Sequence, residues 1–174
     1  RLDDENRAMN YFEKCYRMQR KVLNFDCPDV AATKSEIGIL LLRQGKIDKA
    51  FHAFQDALRI RHGLTEDHYE TGYSLYHLAL YYTVKRKYTD AIECFDKALE
   101  VGVETFGSEH PFIADIHNGI GTVNARNCKF DAAKKAFSRA LKIYEKCRVN
   151  PQNYRVIRCK NDLDRVQREE TLCV

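Results

Sequence analysis

The sequence predicts an all-α chain built as a stack of antiparallel helix pairs, and three observations carry that prediction. The segments Ala50-Phe54-Ala57-Leu58, Ala91-Phe95-Ala98-Leu99 and Ala133-Phe137-Ala140-Leu141 share one spacing, at steps of 41 and 42 residues. An amphipathic pattern recurring at such a period marks a helical array, in which each unit buries its apolar face against the next. Only three prolines and eight glycines occur in 174 residues, and alternation of period two is nowhere sustained, so no large sheet is expected.

The elements follow in order. Ala8-Phe12-Cys15-Tyr16 repeats the pattern 42 residues before Ala50, so a leading helix over 3–26 reads as the second half of a unit. Three full units follow, over 28–66, 67–108 and 109–150. Each opens with a helical stretch (Pro28 to Gln44, His68 to Lys87, Pro111 to Asn127) and turns through Gln44-Gly45-Lys46, Arg86-Lys87-Tyr88 or Asn127-Cys128-Lys129. Each then continues into the Ala-Phe-Ala-Leu helix, whose apolar residues lie along one face. Pro28 and Pro111 suit a first helical turn, where the missing N–H costs nothing. Asp48, Thr89 or Asp90, and Asp131 are expected to cap the second helices. Gly38, Ala79 and Gly121 recur in the first helices, where close approach of the paired backbones is the expected reason. A closing helix over 151–170 carries Lys160 and Asn161 where the units carry apolar and small residues, which suits the polar cap of an array.

Charge is uneven along the chain. Residues 1–62 carry 12 basic and 9 acidic side chains, 63–123 carry 4 and 10, and 124–174 carry 13 and 6. A nucleic-acid ligand would favour one continuous basic track, so this series ranks that partner last. The longest charge-free stretch, Thr71 to Val84, holds 14 residues with four tyrosines, too short and polar to span a bilayer. Seven cysteines never lie closer than 12 residues apart and form no CxxC pair, so neither a zinc module nor a disulfide framework is expected. Small thiols on apolar helix faces fit a reducing cytoplasm. No GxSxG, HExxH, P-loop or GxGxxG motif is present, and the six histidines lack ligand spacing. No catalytic residue, metal ligand or cofactor is assigned, and the chain reads as a binder.

With the small residue, Ala, Phe and Ala of each unit in hand, the pattern resembles the tetratricopeptide repeat, at its positions 8, 20, 24 and 27. Those are Gly38, Ala50, Phe54 and Ala57 in the first full unit, Ala79, Ala91, Phe95 and Ala98 in the second, and Gly121, Ala133, Phe137 and Ala140 in the third. The long unit, and Phe106-Gly-Ser-Glu-His-Pro111 entering the third, resemble the kinesin light chain type. Lys34, Leu75 and His117 stand where that type has an aromatic residue at position 4. The resemblance implies one domain over 1–174, a right-handed α-solenoid of about three repeats with an N-terminal half repeat and a C-terminal capping helix.

The resemblance also implies that the first helices line a concave groove through positions 2, 5, 9, 12 and 13. The candidate groove residues are then Ile39, Leu42 and Arg43; Tyr73, Tyr76 and Leu80, with His77 nearby; Asn118, Thr122 and Arg126; and Arg155 and Arg158. Tyrosines offer rigid contact area with a polar tip, and arginines fork onto carboxylates. Equally, Tyr73 and Tyr76 could seal adjacent helices and the arginines could be a solvated face. Ser35, Ile39, Tyr76 and Leu80 occupy places that a two-carboxylate clamp fills with Lys and Asn in chaperone-binding arrays, so that clamp is not expected. The expected function is an adaptor or scaffold that holds a peptide of a protein partner, acidic residues included. The alternative is a spacer or self-association segment. Leu172-Cys173-Val174 would suit a carboxylate-capturing domain if Val174 is a natural end.

Overall fold

Among the residues that the computed structural model describes, 2–22, 27–62 and 69–172, eight α-helices follow one another and no strand occurs. They are α1 (Leu2–Val22), α2 (Pro28–Arg43), α3 (Ile47–His62), α4 (Tyr69–Val84), α5 (Tyr88–Phe106), α6 (Pro111–Arg126), α7 (Phe130–Lys146) and α8 (Tyr154–Leu172). Helices α2 and α3, α4 and α5, and α6 and α7 pack along their lengths as pairs. Successive pairs meet through α3 with α4 and α5 with α6, and the first helices also touch in the order α2, α4, α6, α8. The array is an α-solenoid of helix pairs, with its first helices sharing one side.

The recurring segments form the core. Phe54, Phe95 and Phe137 are fully buried, as are Ala50, Ala57, Ala91, Ala98, Ala133 and Ala140. The small residues of the first helices serve these rings. A Cβ on Gly38 would lie 2.7 Å from the Phe54 ring, and one on Gly121 would lie 2.6 Å from the Phe137 ring. The close approach is therefore of helix backbone to an aromatic side chain, not of backbone to backbone.

The turns inside the pairs share one geometry. Gly45, Arg86 and Cys128 have φ of 71°, 59° and 57°. The next N–H in each case closes a bond of 2.9 Å back to the helix: Lys46 to Leu41, Lys87 to Tyr82 and Lys129 to Asn124. This is a left-handed helix end, natural for glycine and strained for the other two.

Several expectations change. The residues preceding α5 and α7 are Lys87 and Lys129, and neither makes a side-chain cap bond. Asp48, Asp90 and Asp131 sit inside the first turn, where their charge meets the positive end of the helix dipole. His110 does cap α6, its Nδ1 accepting from the Phe112 N–H at 3.2 Å. The closing helix starts at Tyr154 because Asn153 Oδ1 accepts from the Arg155 N–H at 3.0 Å, three residues after Pro151. The six described cysteines are free thiols; Cys159 is buried, but Cys15 and Cys128 are exposed. No helix among the described residues is long and apolar enough to cross a membrane. His68, Cys173 and Val174 lie outside the described residues.

Candidate functional site

Because α2, α4, α6 and α8 touch in sequence, the residues one turn apart on their shared side form a single concave surface. A cleft of about 360 Å³ runs across all four helices. Ile39, Leu42 and Arg43 come from α2, and Tyr73, Tyr76, His77 and Leu80 from α4. Phe112, Asp115 and Asn118 come from α6, and Tyr154, Arg155 and Arg158 from α8. A second hollow of about 440 Å³ adjoins it through Ile39, Tyr73 and His77.

The aromatic residues serve packing and surface at once. Tyr73 is 38% exposed, and its ring centroid stands 4.0 Å from that of Phe112. Tyr76 meets the Phe95 and Phe112 rings edge-on at 5.7 and 5.9 Å. Its hydroxyl is pushed well above the usual range, first by burial and then by the Asp115 carboxylate, so it stays protonated. His77 stacks on Phe54 at 4.9 Å, and burial lowers its pKa to about 4, so the ring is neutral near pH 7. Its Nδ1 is buried without a partner, as is Asn118 Oδ1. Both residues line the cleft through other atoms, while these two lie beneath its surface without a partner among the described residues.

Charge is concentrated toward α8. Asp115 is the cleft's carboxylate; Tyr144 donates to its Oδ1 at 2.5 Å and Arg155 Nη1 to its Oδ2 at 2.8 Å. Burial still raises its pKa against both partners. Arg155 also donates through Nε to the Tyr154 hydroxyl at 3.2 Å. Arg158 stands 3.8 Å from Asp162, and Arg43 is exposed at the end of α2. Three guanidinium groups against the carboxylates of Asp115 and Asp162 leave one net positive charge at the cleft. In the adjoining hollow, buried Arg61 donates to Ser74 Oγ at 2.5 Å and Ser35 Oγ at 3.1 Å.

Ten of the twelve residues singled out from the sequence line the cleft. Thr122 and Arg126 do not: Thr122 Oγ1 donates to the Asn118 carbonyl of its own helix at 3.0 Å, and Arg126 is exposed in the last turn of α6. Phe112, Asp115 and Tyr154 line it in addition. Asp115 stands at position 2 of its unit, so its facing is legible in the repeat phase. Phe112 precedes that phase, at the mouth of α6, and Tyr154 stands at position 1, which is not one of the inward positions.

Models of the tetratricopeptide repeat match residues 30–68 and 65–146. No curated protein matches the sequence. Among solved structures, BtubC (BKLC) from P. vanneervenii superposes with a TM-score of 0.82 at 20% identity, over 95% of this chain and 66% of that one. This chain therefore spans a little under two thirds of that protein's length. The nearly identical TPR-like repeats assigned to a kinesin light chain of Podosopora anserina give 0.76 at 17% identity, over 98% of this chain and 81% of the other. The N-terminal domain of stress-induced protein-1 from C. elegans gives 0.56 at 19%, over 78% and 95%. At these identities the structures share the fold with this chain. The matched residues, the paired helices and the buried Ala-Phe-Ala positions agree, and the chain belongs to the tetratricopeptide repeat family.

Proposed function

We propose that the concave cleft holds a peptide segment of a partner protein, so that the chain acts as an adaptor or scaffold and not as a catalyst. Repeats of this family are in general protein-interaction modules. The observation that carries the finer reading is the cleft itself, where Tyr73, Leu80 and Phe112 lie beside the guanidinium groups of Arg43, Arg155 and Arg158 on one surface. Ile39, Leu42, Leu80 and Phe112 supply apolar contact area. Arg43, Arg155 and Arg158 meet carboxylates, and the Asn118 side chain pairs with the peptide backbone. Ordering a flexible peptide offsets part of the contact energy, so affinity is on the order of micromolar.

The test is comparative capture from cell lysate. Arg43→Glu with Arg158→Glu alters exposed groove charges, while Lys135→Glu with Lys142→Glu alters exposed charges on α7. Loss of partners in the first variant alone, with helicity unchanged, supports the reading; partners retained by the first variant refute it.

A second reading, self-association, has one observation in its favour. Glu93, Glu100 and Glu104 are exposed on α5, and Lys135, Arg139 and Lys142 are exposed on α7, so two copies could pair opposite charges. A monomeric sedimentation mass at low salt removes it, since screening is then weakest.

A further inference from the structure

The carboxylate of Asp115 stands where the fold does not call for one. Helices α2, α4, α6 and α8 touch in that order, and position 2 of each is Ala32, Tyr73, Asp115 and Arg155. Ala32 and Tyr73 show that an uncharged side chain fits this place. Asp115 is also the one carboxylate among the described residues that line the cleft. Its side chain is mostly buried, and burial raises its pKa even though Tyr144 and Arg155 both donate to it. The charged form is thus held against its surroundings. A charge kept where a neutral side chain would fit points to a use other than stability.

That use follows from how the two oxygens are shared. Oδ1 accepts from the Tyr144 hydroxyl at 2.5 Å, and Tyr144 is buried, so this side of the carboxylate is fixed to α7. Oδ2 accepts from Arg155 Nη1 at 2.8 Å. The Arg155 side chain is 44% exposed, and its Nε donates to the hydroxyl of the exposed Tyr154. The arginine can therefore turn toward the cleft while the aspartate stays tied to Tyr144. Arg158 is held more loosely, 3.8 Å from Asp162 with its side chain exposed.

An acidic side chain that enters the cleft at α8 meets Arg155 already engaged. To bind there it must draw the guanidinium from Asp115 and leave that carboxylate with the Tyr144 hydroxyl. An uncharged side chain at the same place makes no such exchange.

We propose that Asp115 sets how strongly the cleft prefers acidic ligands, by competing with the ligand's carboxylate for Arg155. The proposal rests on the reading of the cleft as a peptide site. The probe is an end-capped synthetic peptide of alternating leucine and glutamate, compared with the same peptide carrying glutamine for glutamate, against the full chain. Asp115→Asn keeps a side-chain oxygen for the Tyr144 hydroxyl and removes the competing charge. By calorimetry, that variant raises the ratio of glutamate-peptide to glutamine-peptide affinity by about threefold to tenfold, the scale of one charge removed from a partly buried site. A loss of folding would lower both affinities and leave the ratio without a rise. In the unaltered chain the Arg155 Nε resonance moves with the glutamate peptide and stays in place with the glutamine peptide. A ratio that is unchanged or falls in Asp115→Asn, or an Arg155 resonance unmoved by the glutamate peptide, would overturn the proposal alone. Glutamate-peptide binding that Arg43→Glu with Arg158→Glu leaves intact would overturn the reading of the cleft, and the proposal with it.

Discussion

The Tyr144 hydroxyl donates to Asp115 Oδ1 at 2.5 Å, tying the last turn of α7 to the entry of α6 beneath the cleft. Arg155 of α8 holds the other oxygen at 2.8 Å, so one carboxylate joins the last full pair to the closing helix. Tyr144 is 1% exposed and the Asp115 side chain 15%, so water cannot readily replace either partner.

Tyr144→Phe therefore removes a hydrogen bond to a partly buried charge. The loss is about 1.5–3 kcal/mol, read by urea unfolding. Tyr144→Phe combined with Asp115→Asn should cost less than the two single losses added, because the charge that the single Phe variant strands is gone.

Gly121→Ala tests the ring-on-backbone contact. The added Cβ would stand 2.6 Å from Phe137, a ring with no exposed surface to retreat into. Overpacking of this kind costs about 1–3 kcal/mol, partly offset by the better helix propensity of alanine. Gly38→Ala should behave alike against Phe54, and both appear as a lowered midpoint in thermal unfolding.

The turns give a prediction of the opposite sign. Arg86 and Cys128 adopt the left-handed conformation that Gly45 takes without strain. Cys128→Gly and Arg86→Gly relieve that strain and stabilise the chain by up to about 1 kcal/mol each, less what the looser unfolded chain takes back. A midpoint that falls in both variants contradicts this account of the turns.

Acid should weaken the fold through two histidines. Burial lowers His77 and His117 to about 4 from the ordinary 6.5, with Arg139 adding to the effect at His117. A base whose folded pKa is lowered binds protons more readily when unfolded. Stability is then full above pH 6.5 and falls as pH drops from there toward 4, by at most about 1.4 kcal/mol per pH unit and histidine. Asp115, whose carboxyl is raised by burial, titrates in the opposite sense and blunts the fall at its lower end. His117→Gln should flatten the slope of unfolding free energy against pH over this window, whatever it does to the absolute value.

How much was legible in the sequence varies with the physics behind each part. The Ala-Phe-Ala-Leu spacing set the phase of the second helices, because buried positions leave a periodic apolar trace. With the inward positions that the tetratricopeptide resemblance implies, that phase puts Ile39, Tyr76, Leu80 and Asn118 on the side where they line the cleft. Phe112 and Tyr154 were not legible, since Phe112 stands before the repeat phase begins and Tyr154 stands at position 1, outside the inward set. The bond from Tyr144 to Asp115 joins residues 29 apart whose spacing carries no signal. The partnerless acceptors of His77 and Asn118 likewise depend on surroundings that only packing creates. Cys15 matches Ala57 in spacing, which predicts a buried thiol, yet it is exposed.

The measurement that tests the central claim most directly is backbone amide shift mapping on the isotope-labelled chain, titrated with a partner segment obtained by the comparative capture. A peptide held in the concave cleft shifts amides of α2, α4, α6 and α8, with Asn118, Leu80 and Arg158 among the largest changes, and Asn118→Ala weakens the complex. Shifts confined to the outer faces of α3, α5 and α7, with the first helices unmoved, would contradict it.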